Sequence, residues 1–211
     1  MNNLVYIFPI ATAYFLGAVP FGFLIGLSRG VDIRTVGSKN IGATNVLRAV
    51  GKGWGILALF CDMMKGFIPA ALFPLVTAAG FNIETGNGLS LACACAAVAG
   101  HNWPVYLKFK GGKGVATTAG GLLGVAPLPL GIGLAAWIIV FLSSRYVSLA
   151  SMISAATIST AAWVLCSKEG LLIPVVLSLL GILAIWRHRA NIQRLLKGTE
   201  NRIEFRKKEQ Q

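Results

Sequence analysis

Long apolar stretches separated by short polar ones run along the whole chain, at approximately 4–27, 54–79, 88–107, 115–126, 129–143, 148–166 and 171–187. A helix rises about 1.5 Å per residue, so most of these stretches reach across a hydrocarbon core of about 30 Å. The stretch 115–126 is the weakest, because a dozen residues cover only about 18 Å. Pro127-Leu128-Pro129 parts it from the next, since proline lacks a backbone donor and clashes with the preceding turn. Residues 115–143 are therefore either one kinked span or two shorter ones joined by a tight turn.

Charge decides between the two. Of the 19 Lys and Arg, five lie in 28–53, three are Lys108, Lys110 and Lys113, one is Arg145, and eight lie from Arg187 onward. Positively charged loops stay on the cytoplasmic side. The connections 80–87 and 167–170 carry little positive charge. Placing Lys108–Lys113 and Arg145 on one side needs an even number of crossings between them, which two short helices satisfy. The expectation is an all-α integral membrane protein of seven transmembrane helices, with a periplasmic N-terminus and a cytoplasmic C-terminus. Residues 1–190 form the membrane domain and 191–211 a basic cytoplasmic tail.

Composition agrees: only 12% of residues are charged, against about 25% in soluble domains. Cys61, Cys93, Cys95 and Cys166 lie inside apolar runs, where free cysteine acts as a small hydrophobe, so no disulfide or metal site is read. The start, Met1-Asn2-Asn3, lacks the basic residues of a secretory signal, and the first segment reads as a retained span. Orientation and contact with anionic headgroups account for much of the net charge of +12, including Arg202, Arg206, Lys207 and Lys208. Nucleic acid is excluded as a partner, because the basic residues sit in short membrane loops without interleaved aromatics.

Two loops exceed what orientation explains. The first runs from Gly37 through Ser38, Lys39, Asn40, Ile41, Gly42, Ala43, Thr44 and Asn45 to Arg48. Glycines let backbone N–H groups approach an anion, short polar side chains add hydrogen bonds, and an arginine closes on it in bidentate fashion. The bland alternative is a capping loop. The second runs Gly111-Gly112-Lys113-Gly114-Val115-Ala116-Thr117 ahead of an apolar helix. Its spacing is not that of a Walker A loop, yet it joins a free backbone and a lysine to a helix N-terminus. A flexible hinge is its bland alternative.

Three further groups stand out. Asp62 and Lys65 share one helical face inside the second apolar segment, where an ion pair is geometrically possible. His101-Asn102-Trp103-Pro104-Val105-Tyr106 suits helix packing and an interfacial aromatic belt. His188 and Asn191 are three apart and share a face if the helix continues, close to a cytoplasmic end that also holds Arg145-Tyr146-Val147-Ser148-Leu149-Ala150-Ser151.

These motifs, together with Gly17-Ala18-Val19-Pro20-Phe21-Gly22 and Arg187-His188-Arg189-Ala190-Asn191-Ile192, strongly resemble the bacterial acyl-phosphate:glycerol-3-phosphate acyltransferases, from about residue 14 to about 203. The resemblance implies a seven-helix fold in the bacterial inner membrane. It implies transfer of a fatty acyl group from acyl phosphate to the 1-hydroxyl of sn-glycerol 3-phosphate, giving lysophosphatidic acid and phosphate, the first acylation of phospholipid synthesis. By the same resemblance Ser38, Lys113 and His188 act in the reaction. Asn40, Gly42, Asn45, Arg48, Gly112, Gly114 and Thr117 bind substrate, and Ser151, His188 and Asn191 form the glycerol 3-phosphate end. No cofactor or metal is implied. Partners are the two substrates, membrane lipid, and functional coupling to the enzyme that makes acyl phosphate. The H-x-x-x-x-D motif of other acyltransferases in this pathway is absent, since Tyr106 and Gln193 stand five residues after the two histidines.

Both substrates carry a phosphate, and Arg48 and Lys113 offer two separate cations for them. Phosphate is already a good leaving group. The proton of the attacking hydroxyl goes either to His188, whose ordinary pKa is near 6.5, or to the donor's own phosphate, the route favoured here. The rival reading is an organic-phosphate transporter with the same cationic loops and short broken segments. It is disfavoured because no internal duplication is visible and the basic cluster lies at one face.

Overall fold

The computed structural model describes residues 4–203. Met1, Asn2 and Asn3, and the basic residues Arg206, Lys207 and Lys208, lie outside the described residues. Among the described residues the regular structure is helical: α1 (Leu4–Ala18), α2 (Phe21–Ser28), α3 (Ala43–Ala49), α4 (Lys52–Phe81), α5 (Gly86–Asn102), α6 (Val115–Val125), α7 (Pro127–Ser144), α8 (Val147–Cys166), α9 (Leu172–Arg187) and α10 (Arg189–Leu196). Each of the seven apolar segments contains a helix. The first is interrupted at Val19-Pro20, because the residue before a proline is pushed out of the α region. The stretch 115–143 is two helices, broken at Ala126, with Pro127 at the opening position of α7 where its missing N–H costs nothing.

Four stretches are long and apolar enough to cross a membrane: Leu4–Ser28, Lys52–Phe81, Pro127–Ser144 and Val147–Glu169. Leu172–Arg187 and Arg189–Leu196 pass together as a fifth, bent by 54°. α5 and α6, of 17 and 11 residues, are short for this purpose. Exposure is inverted relative to a soluble protein. Phe8, Leu75, Val76, Ile139, Val164 and Ile182 face outward, while Asn45, Asp62, Lys65, His101, Asn102, Thr117, His188 and Asn191 are buried. In hydrocarbon, polar groups must find partners inside the protein, and apolar ones lose nothing by facing lipid.

The chain divides into two compact units, residues 1–127 and 128–211. In the first, glycine brings helix backbones into direct contact. A Cβ on Gly17 or Gly100 would overlap backbone atoms of α5 or α1 respectively, and one on Gly66 or Gly120 would overlap those of α6 or α4. Such small-residue crossings take the place of the hydrophobic effect, which does not drive helix association within lipid. A smaller apolar cluster of Ile33, Ile41, Val46 and Ala58 seats the 29–42 loop and α3 against α4.

The second unit holds α7 to α10. α8 and α9 are joined by hydrogen bonds from Ser159 Oγ to the Leu177 carbonyl (3.2 Å) and from Trp163 Nε1 to Ser178 Oγ (3.0 Å). Residues 199–203 return along the start of α8. Ile203 N donates to the Arg145 carbonyl at 3.1 Å, and the Arg202 guanidinium lies 4.8 Å from the Tyr146 ring centre.

Candidate active site

In the first loop, Asn45 is the organising side chain. It stands on α3, 1% exposed. Its Nδ2 donates to the carbonyls of Ile33 (2.7 Å), Asn40 (3.0 Å) and Val36 (3.2 Å), and its Oδ1 accepts from Ser38 N at 3.0 Å. Two protons serve three carbonyls, so one bond is shared. The amide is committed to loop backbone, and its effect on any ligand runs through the loop's shape. Asn40 Oδ1 accepts from Gly42 N at 2.9 Å, closing a second small turn. Gly37 and Lys39 both take positive φ, and a Cβ at Gly37 would run into Asn45 Oδ1. Ser38 is half-buried on this rim, and Arg48 stands in the last turn of α3. Outside the membrane-spanning helices, Arg34 grips Asp32 at 2.7 Å. These hydrogen bonds hold the Asp32 carboxyl below its ordinary 3.8.

The second loop is built on the end of α5. Gly112 N donates to the His101 carbonyl at 3.1 Å. A Cβ at Gly112 would collide with the His101 imidazole, so glycine is required by close approach. Gly114 caps α6 with φ +79 and lies against the Asn102 side chain. Lys113, half-buried, sits between these two fixed glycines. Thr117 is 0% exposed, at the crossing of α6 with Gly66, and its hydroxyl has no hydrogen-bond partner among the described residues.

Under this loop lies a buried charged group. Lys65 Nζ is 2.9 Å from Asp62 Oδ1 with side chains 1% and 2% exposed, so the ion pair inside the second segment is formed. Lys65 Nζ also donates to the Val19 carbonyl at 2.8 Å. That carbonyl stands at the Pro20 interruption, so the lysine caps a break the sequence itself creates. His101 Nδ1 approaches Asp62 Oδ1 to 3.7 Å. The sequence reading gave His101 and Asn102 a packing role. The structure adds that they are the floor of the Lys113 loop, a relationship spacing alone does not reveal.

In the second unit, α9 ends at Arg187 and α10 starts at Arg189, with His188 at the break between them, so the helix does not run straight through. His188 and Asn191 are nonetheless together, at 2% and 5% exposure, because Asn191 N donates to the His188 carbonyl at 2.8 Å. His188 Nδ1 is 2.8 Å from the Ala184 carbonyl. A carbonyl only accepts, so Nδ1 carries the proton and the basic lone pair of the neutral ring lies on Nε2. Ser151, 4% exposed, donates to the Val147 carbonyl at 2.8 Å and accepts from Trp137 Nε1 at 3.2 Å.

Sequence reasoning missed Glu200. Its Oε1 accepts from Asn191 Nδ2 (2.7 Å) and Ser148 Oγ (2.8 Å), and its Oε2 from Arg194 Nε (2.7 Å). The side chain is only 5% exposed. Burial pushes this carboxyl up, but the three hydrogen bonds outweigh it and hold the group below its ordinary 4.5. The only signal was Gly198-Thr199, a helix-ending glycine that turns the chain back. Gly198 has φ +68, with Thr199 N bonded to the Arg194 carbonyl (2.8 Å) and Gly198 N to that of Leu195 (3.1 Å). Among the described residues no three His, Cys, Asp or Glu are grouped so as to hold a metal.

An all-helical membrane protein with two glycine-shaped basic loops is matched in known proteins along nearly its whole length. The glycerol-3-phosphate acyltransferase family model covers residues 7–198. The glycerol-3-phosphate acyltransferase of Rubrobacter xylanophilus is 45% identical over 197 residues, 92% of this chain and 93% of that one. The Aquifex aeolicus protein of the same name is 44% identical, covering 93% and 98%. The crystal structure of PlsY (YgiH), an integral membrane glycerol 3-phosphate acyltransferase, superposes in its glycerol 3-phosphate form with a TM-score of 0.84 at 41% identity, over 94% of this chain and 96% of that one. Its lysophosphatidic acid form gives 0.81 at 40% identity. Fold and sequence thus define an integral membrane acyltransferase. The chain belongs to the glycerol-3-phosphate acyltransferase family.

Proposed function

We propose that the protein transfers a fatty acyl group from acyl phosphate to the 1-hydroxyl of sn-glycerol 3-phosphate, giving lysophosphatidic acid and inorganic phosphate. The observation that carries this reading is the likeness to PlsY, known in a glycerol 3-phosphate form and a lysophosphatidic acid form, an acceptor and its acylated product. Acyl phosphate as donor is supported by two features of this chain. There are two separate basic loops, and neither histidine is followed at the fifth position by aspartate.

In the reaction the C1 oxygen of glycerol 3-phosphate attacks the acyl carbonyl carbon. The bond between that carbon and the bridging phosphate oxygen breaks, and inorganic phosphate leaves with the electron pair. The hydroxyl proton passes to a phosphate oxygen of the donor. The protein then needs to position and to stabilise charge more than to supply a strong acid or base. Lys113, Arg48 and the N–H groups around Ser38 and Gly112 are assigned to phosphate binding, with Asn40, Gly42, Asn45 and Gly114 shaping the loops and Thr117 packing behind. Ser151, His188 and Asn191 are assigned to glycerol 3-phosphate. His188, with its lone pair on Nε2, is the other candidate for the proton.

The membrane arrangement that fits is seven crossings in a bacterial inner membrane, N-terminus periplasmic and both loops cytoplasmic. Acyl phosphate enters from the bilayer, and functional coupling to the enzyme that makes it follows from its instability in water. A transporter of organic phosphates is the other use of the same charges, and family membership weighs against it. Purified protein supplied with glycerol 3-phosphate and either acyl phosphate or acyl-CoA tests the donor: product with acyl phosphate alone is expected, and equal product with acyl-CoA contradicts the assignment. Turnover of His188→Ala at saturating substrates tests the proton route. Loss of kcat by several orders of magnitude with unchanged binding assigns the proton to His188 instead.

A further inference from the structure

Glu200 is a carboxylate buried among groups that, on the reading above, favour anions. Between residues 128 and 203 the chain has two acidic residues, Glu169 and Glu200. Glu169 sits past the far end of α8, about 30 Å along that helix from Ser148. Near Glu200 the sequence offers Arg187, Arg189, Arg194 and Lys197. A negative charge here weakens the attraction of any phosphate, so electrostatics alone gives no reason for it.

Geometry does give a reason. One oxygen, Oε1, receives both Asn191 Nδ2 (2.7 Å) and Ser148 Oγ (2.8 Å), and so joins the first turn of α10 to the first turn of α8. The other oxygen holds Arg194 Nε at 2.7 Å, one turn further along α10. Ser148 lies one turn before Ser151 on α8, and Asn191 one turn after His188. The Gly198 turn and the Ile203–Arg145 hydrogen bond fix the backbone on either side of Glu200. The carboxylate is thus the clamp between two pairs of polar residues, and it fixes the Asn191 amide with Nδ2 on the carboxylate oxygen.

We propose that Glu200 is a positioning residue for the acceptor end of the acyltransfer site, acting through Asn191 and Ser148 and touching neither substrate. The inference rests on the acceptor role assigned above to Ser151, His188 and Asn191. Removing the carboxylate takes away the bond that orients the Asn191 amide and Ser148, which degrades recognition of glycerol 3-phosphate and leaves the acyl donor untouched. The conservative amide keeps an oxygen for Asn191 and Ser148 while losing the bond to Arg194.

The test uses full-length purified protein with KM measured separately for glycerol 3-phosphate and acyl phosphate. Glu200→Ala is expected to raise KM for glycerol 3-phosphate about tenfold or more, with KM for acyl phosphate within about twofold of wild type. Glu200→Gln is expected to recover most of that loss. Unchanged KM for glycerol 3-phosphate in Glu200→Ala overturns the inference while leaving the acyltransferase reading intact. So does a fall in activity that raises both KM values together or only follows lost folded protein, as a merely structural role would give. If Glu200→Ala is not recovered folded, Ser148→Ala carries the test: an increase of about threefold in the same KM alone is expected, and no change overturns the clamp. Wild type that makes no lysophosphatidic acid overturns the reading beneath it, and the inference with it.

Discussion

Lys65 Nζ lies 2.9 Å from Asp62 Oδ1, one helical turn apart within a thirty-residue apolar helix, with neither side chain more than 2% exposed. The lysine also closes the carbonyl of Val19 at the Pro20 break, so a single ammonium joins α4 to the interruption between α1 and α2. Removing one member of a buried pair strands the other charge, at a cost of about 3–5 kcal/mol. Asp62→Ala and Lys65→Ala are each expected to lower unfolding stability in micelles by that order. A paired replacement by leucine and methionine is expected to recover much of it, and thermal unfolding of the single and double variants measures the difference.

Gly112 stands where a methyl group would meet the His101 ring. Gly112→Ala is therefore expected to displace the loop carrying Lys113 by about 1 Å, and misplacement of that size costs about a hundredfold in rate. Thermal stability should change little, since the loop is not part of a helix crossing. Comparing kcat/KM with melting temperature separates the two effects.

Asn45 gives a prediction that depends on which atom is a donor. In Asn45→Ala, three carbonyls and Ser38 N lose their partner, costing about 1–3 kcal/mol. Asn45→Asp is isosteric but turns an acceptor toward the carbonyls of Ile33, Val36 and Asn40, so it is expected to be worse than alanine. Denaturant unfolding of the two variants ranks them.

The Glu200 clamp has a defined pH signature. Its carboxyl is held below the ordinary 4.5 in the folded protein. The unfolded chain thus binds the proton more readily, and the clamp's contribution is complete above that value and lost as pH falls through the folded one. The melting-temperature advantage of wild type over Glu200→Gln is expected to be constant above the ordinary 4.5 and to close as pH falls below it. A gap that persists into strong acid excludes a charged clamp.

The helical membrane architecture was legible because lipid selects composition directly: a span must be apolar, and the break at Pro127 shows in the proline itself. The two glycine loops were legible because glycine next to cations and short polar residues has few structural uses in a membrane protein. What the sequence concealed depends on tertiary approach. His101 looks like a packing residue until α5 brings it beneath Gly112. The bend at His188 carries no proline or glycine. Glu200 lies in a basic, polar stretch that reads as solvated, and only the Gly198 turn brings it back to α8.

The central claim is acyl transfer between two phosphate-bearing substrates. The most direct measurement supplies the purified protein, in a defined bilayer, with acyl phosphate and labelled glycerol 3-phosphate, and follows both products. Equimolar inorganic phosphate and lysophosphatidic acid are expected, with both lost together in Lys113→Ala. Phosphate release without the acylated product, or exchange of phosphate esters across vesicles with neither product, would contradict it.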